Sequence, residues 1–88
     1  MKINEGFVLT SVAGSDLIVA TGNATKTLNG YITINQTARV MWDMLEKECS
    51  QEDLVNAILE KYDVDRAIAE RDVAAFVKKL LDAGVISL

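Results

Sequence analysis

The sequence predicts an α+β fold, with a small antiparallel sheet built first and helices laid over it afterwards. Two observations carry this. From Phe7 to Ile34 the chain is rich in Val, Ile, Thr and Gly, and turn signals at Gly14-Ser15-Asp16 and Gly22-Asn23 separate short extended runs. From Asn35 almost to the end, the apolar residues recur instead at helical spacing. The change of period falls within a few residues: Ile32 and Ile34 share one side of an extended segment, and the next apolar positions are Ala38, Met41, Trp42 and Leu45.

The strands are expected near Phe7 to Val12, Leu17 to Thr21 and Gly30 to Ile34, with Ala24 to Asn29 giving the weakest pattern. Asn35 is the natural N-cap of the first helix, because its side-chain oxygen can accept a backbone N–H of the first turn. That helix is expected from Gln36 to Lys47. A second helix starts after Ser50, where Asp53 completes a capping-box-like start and acidic residues favour the positive end of the helix dipole. Its apolar stripe is Leu54, Val55, Ile58, Leu59 and Tyr62. The segment Tyr62-Asp63-Val64-Asp65 breaks the pattern, with Asp63 or Asp65 available as a cap. The third helix, Arg66 to Asp82, buries Ala69, Val73, Phe76, Val77 and Leu80, and Gly84 supplies the permissive residue that follows a helix end. Val85 and Ile86 pack back onto the core. A three-stranded antiparallel sheet followed by three helices, the last long and amphipathic, is a winged-helix-like arrangement.

Composition narrows function by exclusion. The 88 residues make one domain, 1–88, large enough for a core of its own; half are hydrophobic and a quarter charged, which is globular. There is no histidine and a single cysteine, Cys49, so His-based acid/base catalysis, disulfide frameworks and thiolate zinc sites are not expected. No nucleophile stands beside a base and no glycine-rich phosphate loop precedes a helix, so an enzyme is not expected and neither is a cofactor. Asp63 and Asp65 lack the further ligands of a calcium loop. No signal peptide and no run long enough to cross a bilayer is present, so the protein is expected to be cytoplasmic and free of the membrane. The formal charge of −4 repels a nucleic-acid backbone.

Three segments together carry a family resemblance: Asn29-Gly30-Tyr31-Ile32-Thr33-Ile34-Asn35-Gln36-Thr37-Ala38 running on to Trp42, then Tyr62-Asp63-Val64-Asp65, then Asp72-Val73 with Phe76-Val77, Leu80 and Gly84. In this order the chain resembles the PqqD-like family over Asn29 to Ile86, and more loosely over the first strands. It departs from the family at Glu46-Lys47-Glu48-Cys49, where a glycine-containing turn is common. The resemblance implies a recognition module that holds the leader segment of a ribosomally made precursor peptide. Such a module presents the peptide to a modifying enzyme, often a radical S-adenosylmethionine protein, and performs no chemistry itself. It also implies the site: the leader adds as a strand beside Gly30, Tyr31, Ile32, Thr33 and Ile34, in a groove whose helical wall comes from Ala69, Asp72, Val73, Phe76 and Val77, with Asp72 and Lys79 at the rim.

Physical chemistry is consistent with that placement, since an edge strand offers unpaired N–H and C=O groups that an extended peptide satisfies. Each residue also has a plainer role: Val73, Phe76 and Val77 as core, Trp42 as core between the first helix and the sheet, Asn35 as a cap. The competing reading is a winged-helix DNA-binding or transcription-associated domain, which needs a basic recognition helix. The second helix carries Glu52, Asp53 and Glu60 against Lys61, the wrong sign for that role. A third reading is a homodimer in which the same edge pairs with its symmetry mate.

Overall fold

The computed structural model describes residues 1–88. Three strands form the main sheet, β2 (Phe7–Val12), β3 (Ser15–Ala20) and β4 (Tyr31–Ile34), antiparallel in the order β2-β3-β4. Three helices follow: α1 (Gln36–Leu45), α2 (Gln51–Lys61) and α3 (Arg66–Asp82). The expected α+β architecture is therefore the observed one, and α3 has the predicted bounds. The first helix stops at Leu45 rather than Lys47.

Two small features lie outside the sequence-based expectation. Lys2–Ile3 forms a short strand, β1, that pairs with β5 (Ile86–Ser87) in a separate two-stranded ribbon. Gly22–Lys26 is a 3₁₀ turn between β3 and β4.

Local chemistry explains the joints. Ala13 and Gly14 both have positive φ, 52° and 81°, which makes the β2–β3 connection a two-residue turn of the I′ kind whose twist matches the flanking strands. Asn35 caps α1, its side-chain oxygen accepting the Ala38 N–H at 2.8 Å. At α2 the reciprocal box is complete: the Asp53 N–H donates to Ser50 Oγ at 3.1 Å and the Ser50 N–H donates to the Asp53 carboxylate at 2.9 Å. Asp65 occupies the N-cap position of α3, but its side chain makes no capping bond. Gly84, at φ 75°, follows α3, and a Cβ there would also run into the Thr27 side chain. Glycine is thus required on two counts.

One core holds these pieces. Phe7, Ile18, Ile32 and Ile34 project from one face of the sheet onto Met41, Trp42 and Leu45 of α1, Leu54, Val55 and Ile58 of α2, and the buried stripe of α3. Val85 and Ile86 return to this core as predicted. Every buried residue is apolar, so the interior depends on packing rather than on internal polar networks. Cys49 belongs to it: burial pushes its thiol pKa up. No helix is long and apolar enough to cross a membrane.

Candidate functional site: an open strand margin beside the last helix

The geometry of the β4 margin follows from the tight turn between β2 and β3. A β-turn closes with a bond between its first and fourth residues, here Val12 and Ser15, so bonded pairs alternate from there: Val12–Ser15, Thr10–Leu17 and Val8–Val19. The main-chain groups of Asp16 and Ile18 must then face β4 and bond to Ile34 and Ile32. Tyr31 and Thr33 are left with N–H and C=O groups directed away from the sheet. No turn, loop, cap or side-chain hydrogen bond reaches Gly30 to Ile34. The carboxy-terminal segment, which could have covered this margin, pairs with β1 instead. The margin is open.

Side chains along β4 alternate as the sequence predicts. Ile32 and Ile34 are buried, while Tyr31 is 65% exposed on the opposite face beside the exposed Thr33. Gly30, at φ 109°, has open space where a Cβ would stand, so a second backbone can come close at the strand entry.

The expected helical wall divides in two. Ala69, Val73 and Val77 are core residues, and Val73 has no exposed surface at all. They support the wall from behind rather than line it, because the centre of an amphipathic helix's apolar stripe is sealed by the core it faces. Phe76 sits at the edge of that stripe and reaches a depression of about 260 Å³ at the end of β4. Asp72 and Lys79 line the same depression, together with Ala75. The opposite wall comes from α1, through Asn35, Ala38 and Met41. Sequence reasoning missed this α1 wall. The signal was present in Ala38 and Met41 three residues apart, but such spacing reads first as core.

The electrostatics of this groove are balanced. Asp72 meets Arg71 at 3.5 Å, both well exposed, while Lys79 forms no ion pair and its neighbour Lys78 holds Asp82 at 2.8 Å. One acid and one base thus stand two helical turns apart on the rim. The arrangement offers main-chain pairing along Tyr31 to Thr33, an apolar recess against Phe76 and Met41, and a charge of each sign for a guest's polar side chains.

Residues 8–86 match the family model described as Coenzyme PQQ synthesis protein D (PqqD). Among solved structures, TbiB1 in complex with the TbiA(beta) leader peptide has the same fold, with a TM-score of 0.75, 25% identity, and coverage of 97% of this chain and 93% of that one. Lasso peptide synthetase B1 complexed with the leader peptide shares the fold at a TM-score of 0.73 and 24% identity, covering 96% of this chain and 93% of that one. No curated protein sequence matches.

Proposed function

The chain belongs to the PqqD family, and from that premise we propose that it is a non-catalytic adaptor that captures the leader segment of a ribosomally made precursor peptide. Capture is by strand addition at β4. The guest exchanges hydrogen bonds with the outward N–H and C=O groups of Tyr31 and Thr33, and turns alternate side chains toward Phe76, Met41 and Ala38. Asp72 and Lys79 pair with guest charges of opposite sign. Ala69, Val73 and Val77 hold the wall in place. The observation that carries this reading is the unoccupied main-chain edge of β4 next to an apolar recess. It gains support from TbiB1, which was solved holding a leader peptide on this fold.

The adaptor presents the downstream part of its guest to a modifying enzyme, of which a radical S-adenosylmethionine protein is the class implied by the family. Self-pairing of the β4 margin in a homodimer is compatible with the same geometry and would compete with the guest. The DNA-binding alternative is disfavoured by α2, whose exposed Glu52, Asp53 and Glu60 face solvent where a phosphate-contacting helix needs bases.

The test is a titration of the isotopically labelled protein with the leader segment of a candidate precursor peptide. Backbone amide signals of Tyr31 and Thr33, and of α3 between Asp72 and Lys79, are expected to move together. Shifts confined to α1 and α2 would remove strand addition at β4 as the mode of binding.

A further inference from the structure

The sheet has a second open margin, and it is chemically different from the first. By the alternation set at the Val12–Ser15 turn, Phe7, Leu9 and Ser11 direct their N–H and C=O groups away from β3. No hydrogen bond from outside the sheet reaches the main chain of Phe7 to Val12. The usual guards of an edge strand are absent from Phe7-Val8-Leu9-Thr10-Ser11-Val12, which holds no charge, no proline and no bulge. Instead it shows apolar surface, Val8 at 45% and Val12 at 56% exposure. Beside it lies the largest recess of the molecule, about 520 Å³, between the first half of β2 and the outer side of α1 at Trp42.

The charges around this recess have one prevailing sign. Glu5, Asp43 and Glu46 line it against a single base, Arg39. That base is already engaged, with Asp43 at 3.3 Å and Asp16 at 3.5 Å. A strand arriving here would find unpaired amide groups, an apolar floor and uncompensated carboxylates.

We propose that the β2 margin is a second strand-addition site, and that it takes an extended, lysine- or arginine-bearing segment of a partner protein. A second copy of this chain is disfavoured as occupant. Two-fold pairing along β2 would bring one acidic recess toward another, in a molecule whose formal charge is already −4. The peptide held at β4 meets a groove with one charge of each sign and has no comparable preference. With both margins filled, the partner and the guest become the outer strands of one five-stranded sheet, separated by four strand spacings or roughly 19 Å. That distance brings a docked protein to the guest while each keeps its own edge. The link to the enzyme acting on the guest rests on the adaptor reading; the chemistry of the β2 site does not.

The probe is a blocked synthetic peptide alternating lysine and valine over seven residues, with an otherwise identical glutamate–valine peptide as its opposite. Titrated into the labelled protein, the basic peptide is expected to shift the amides of Phe7, Leu9 and Ser11 far more than the acidic peptide does, while the two peptides act alike on Tyr31 and Thr33. Ser11→Pro removes an outward N–H without touching the β3 ladder and is expected to weaken the basic peptide at least tenfold. Glu46→Lys lies at the end of α1, where a base suits the helix dipole, and is expected to weaken it several-fold in a folded protein. Equal effects of both peptides on β2, a basic preference that falls on β4 instead, or no shift of β2 at millimolar peptide would each overturn the proposal. Leader binding at β4 is read separately through Tyr31 and Thr33, so failure at one margin is distinguishable from failure at the other.

Discussion

The two margins of the sheet are equivalent in their main chains and unlike in everything around them. One tight turn, Ala13-Gly14, fixes the alternation of both: Tyr31 and Thr33 face outward on β4, and Phe7, Leu9 and Ser11 on β2. The difference lies in the helix beside each. At β4 the flank is the outer edge of α3 with the start of α1, carrying one acid and one base over a recess of about 260 Å³. At β2 it is the outer side of α1, carrying an excess of carboxylates over a recess about twice as large. Backbone hydrogen bonds supply affinity for any extended chain; selection between chains falls to the side chains of the neighbouring helix.

The strongest test of that division is the core behind the β4 groove. Val73 is wholly enclosed, so Val73→Asp places a carboxylate where no partner exists and should destabilise the fold by about 3 kcal/mol or more. Urea unfolding measures this. A stable Val73→Asp protein that merely loses its guest would move Val73 into the groove and redraw the site.

Next in size is the paired proline exchange. Thr33→Pro deletes an outward N–H on β4 and leaves the β3 ladder intact, as Ser11→Pro does on β2. A guest carbonyl left without its donor forfeits about 1–3 kcal/mol, so Thr33→Pro should lower leader affinity roughly 10- to 100-fold by calorimetry. Ser11→Pro should leave leader affinity as it was. Equal losses from both would mean that the margins are not independent.

A smaller effect tests the corner where β4 meets α1. Asn35 caps α1 by accepting the Ala38 N–H, and Ala38 also lines the groove. Asn35→Ala should cost about 1 kcal/mol of stability, the ordinary worth of a cap, with leader affinity following only as far as the first turn of α1 frays. Thermal unfolding and a leader titration on the same sample separate the two.

How much of this was legible in the sequence differs between the halves of the site. The strand edge was readable, because period-two alternation in Tyr31-Ile32-Thr33-Ile34 followed by a capping asparagine leaves few alternatives. The bounds of α3 and the Ser50–Asp53 box were equally plain, since both rest on interactions within a few residues of sequence. The helical wall was only half readable. Periodicity identifies which residues share the apolar face of α3, but not which of them sit at its centre, like Val73, and which at its border, like Phe76. That depends on which neighbouring elements cover each part of the stripe. The β1–β5 ribbon joins residues more than eighty positions apart through two-residue strands, too short to show any period. The 3₁₀ turn at Gly22–Lys26 has no buried residue to announce it. The second margin is less legible for another reason: nothing in the uncharged strand Phe7 to Val12 marks it as an edge until the sheet order does.

The smallest expected effect concerns the rim charges, and it bears most directly on the contrast between the margins. Lys79 is exposed and unpaired, and Asp72 is held only by an exposed Arg71. Exposed charges of this kind contribute a few tenths of a kcal/mol to about 1 kcal/mol each in water, less as salt rises. Lys79→Glu turns the balanced β4 groove into an acidic one, resembling the β2 recess. Leader affinity should change by a few-fold at most at low salt, and the difference should fade above about 0.5 M salt. The basic lysine–valine peptide, which acts on β4 no more than its acidic counterpart in the unaltered protein, should perturb Tyr31 and Thr33 more than that counterpart does in the variant. If that crossover does not occur, charge on the flanking helix is not what tells the two margins apart, and the size and apolar lining of the recesses must do so instead.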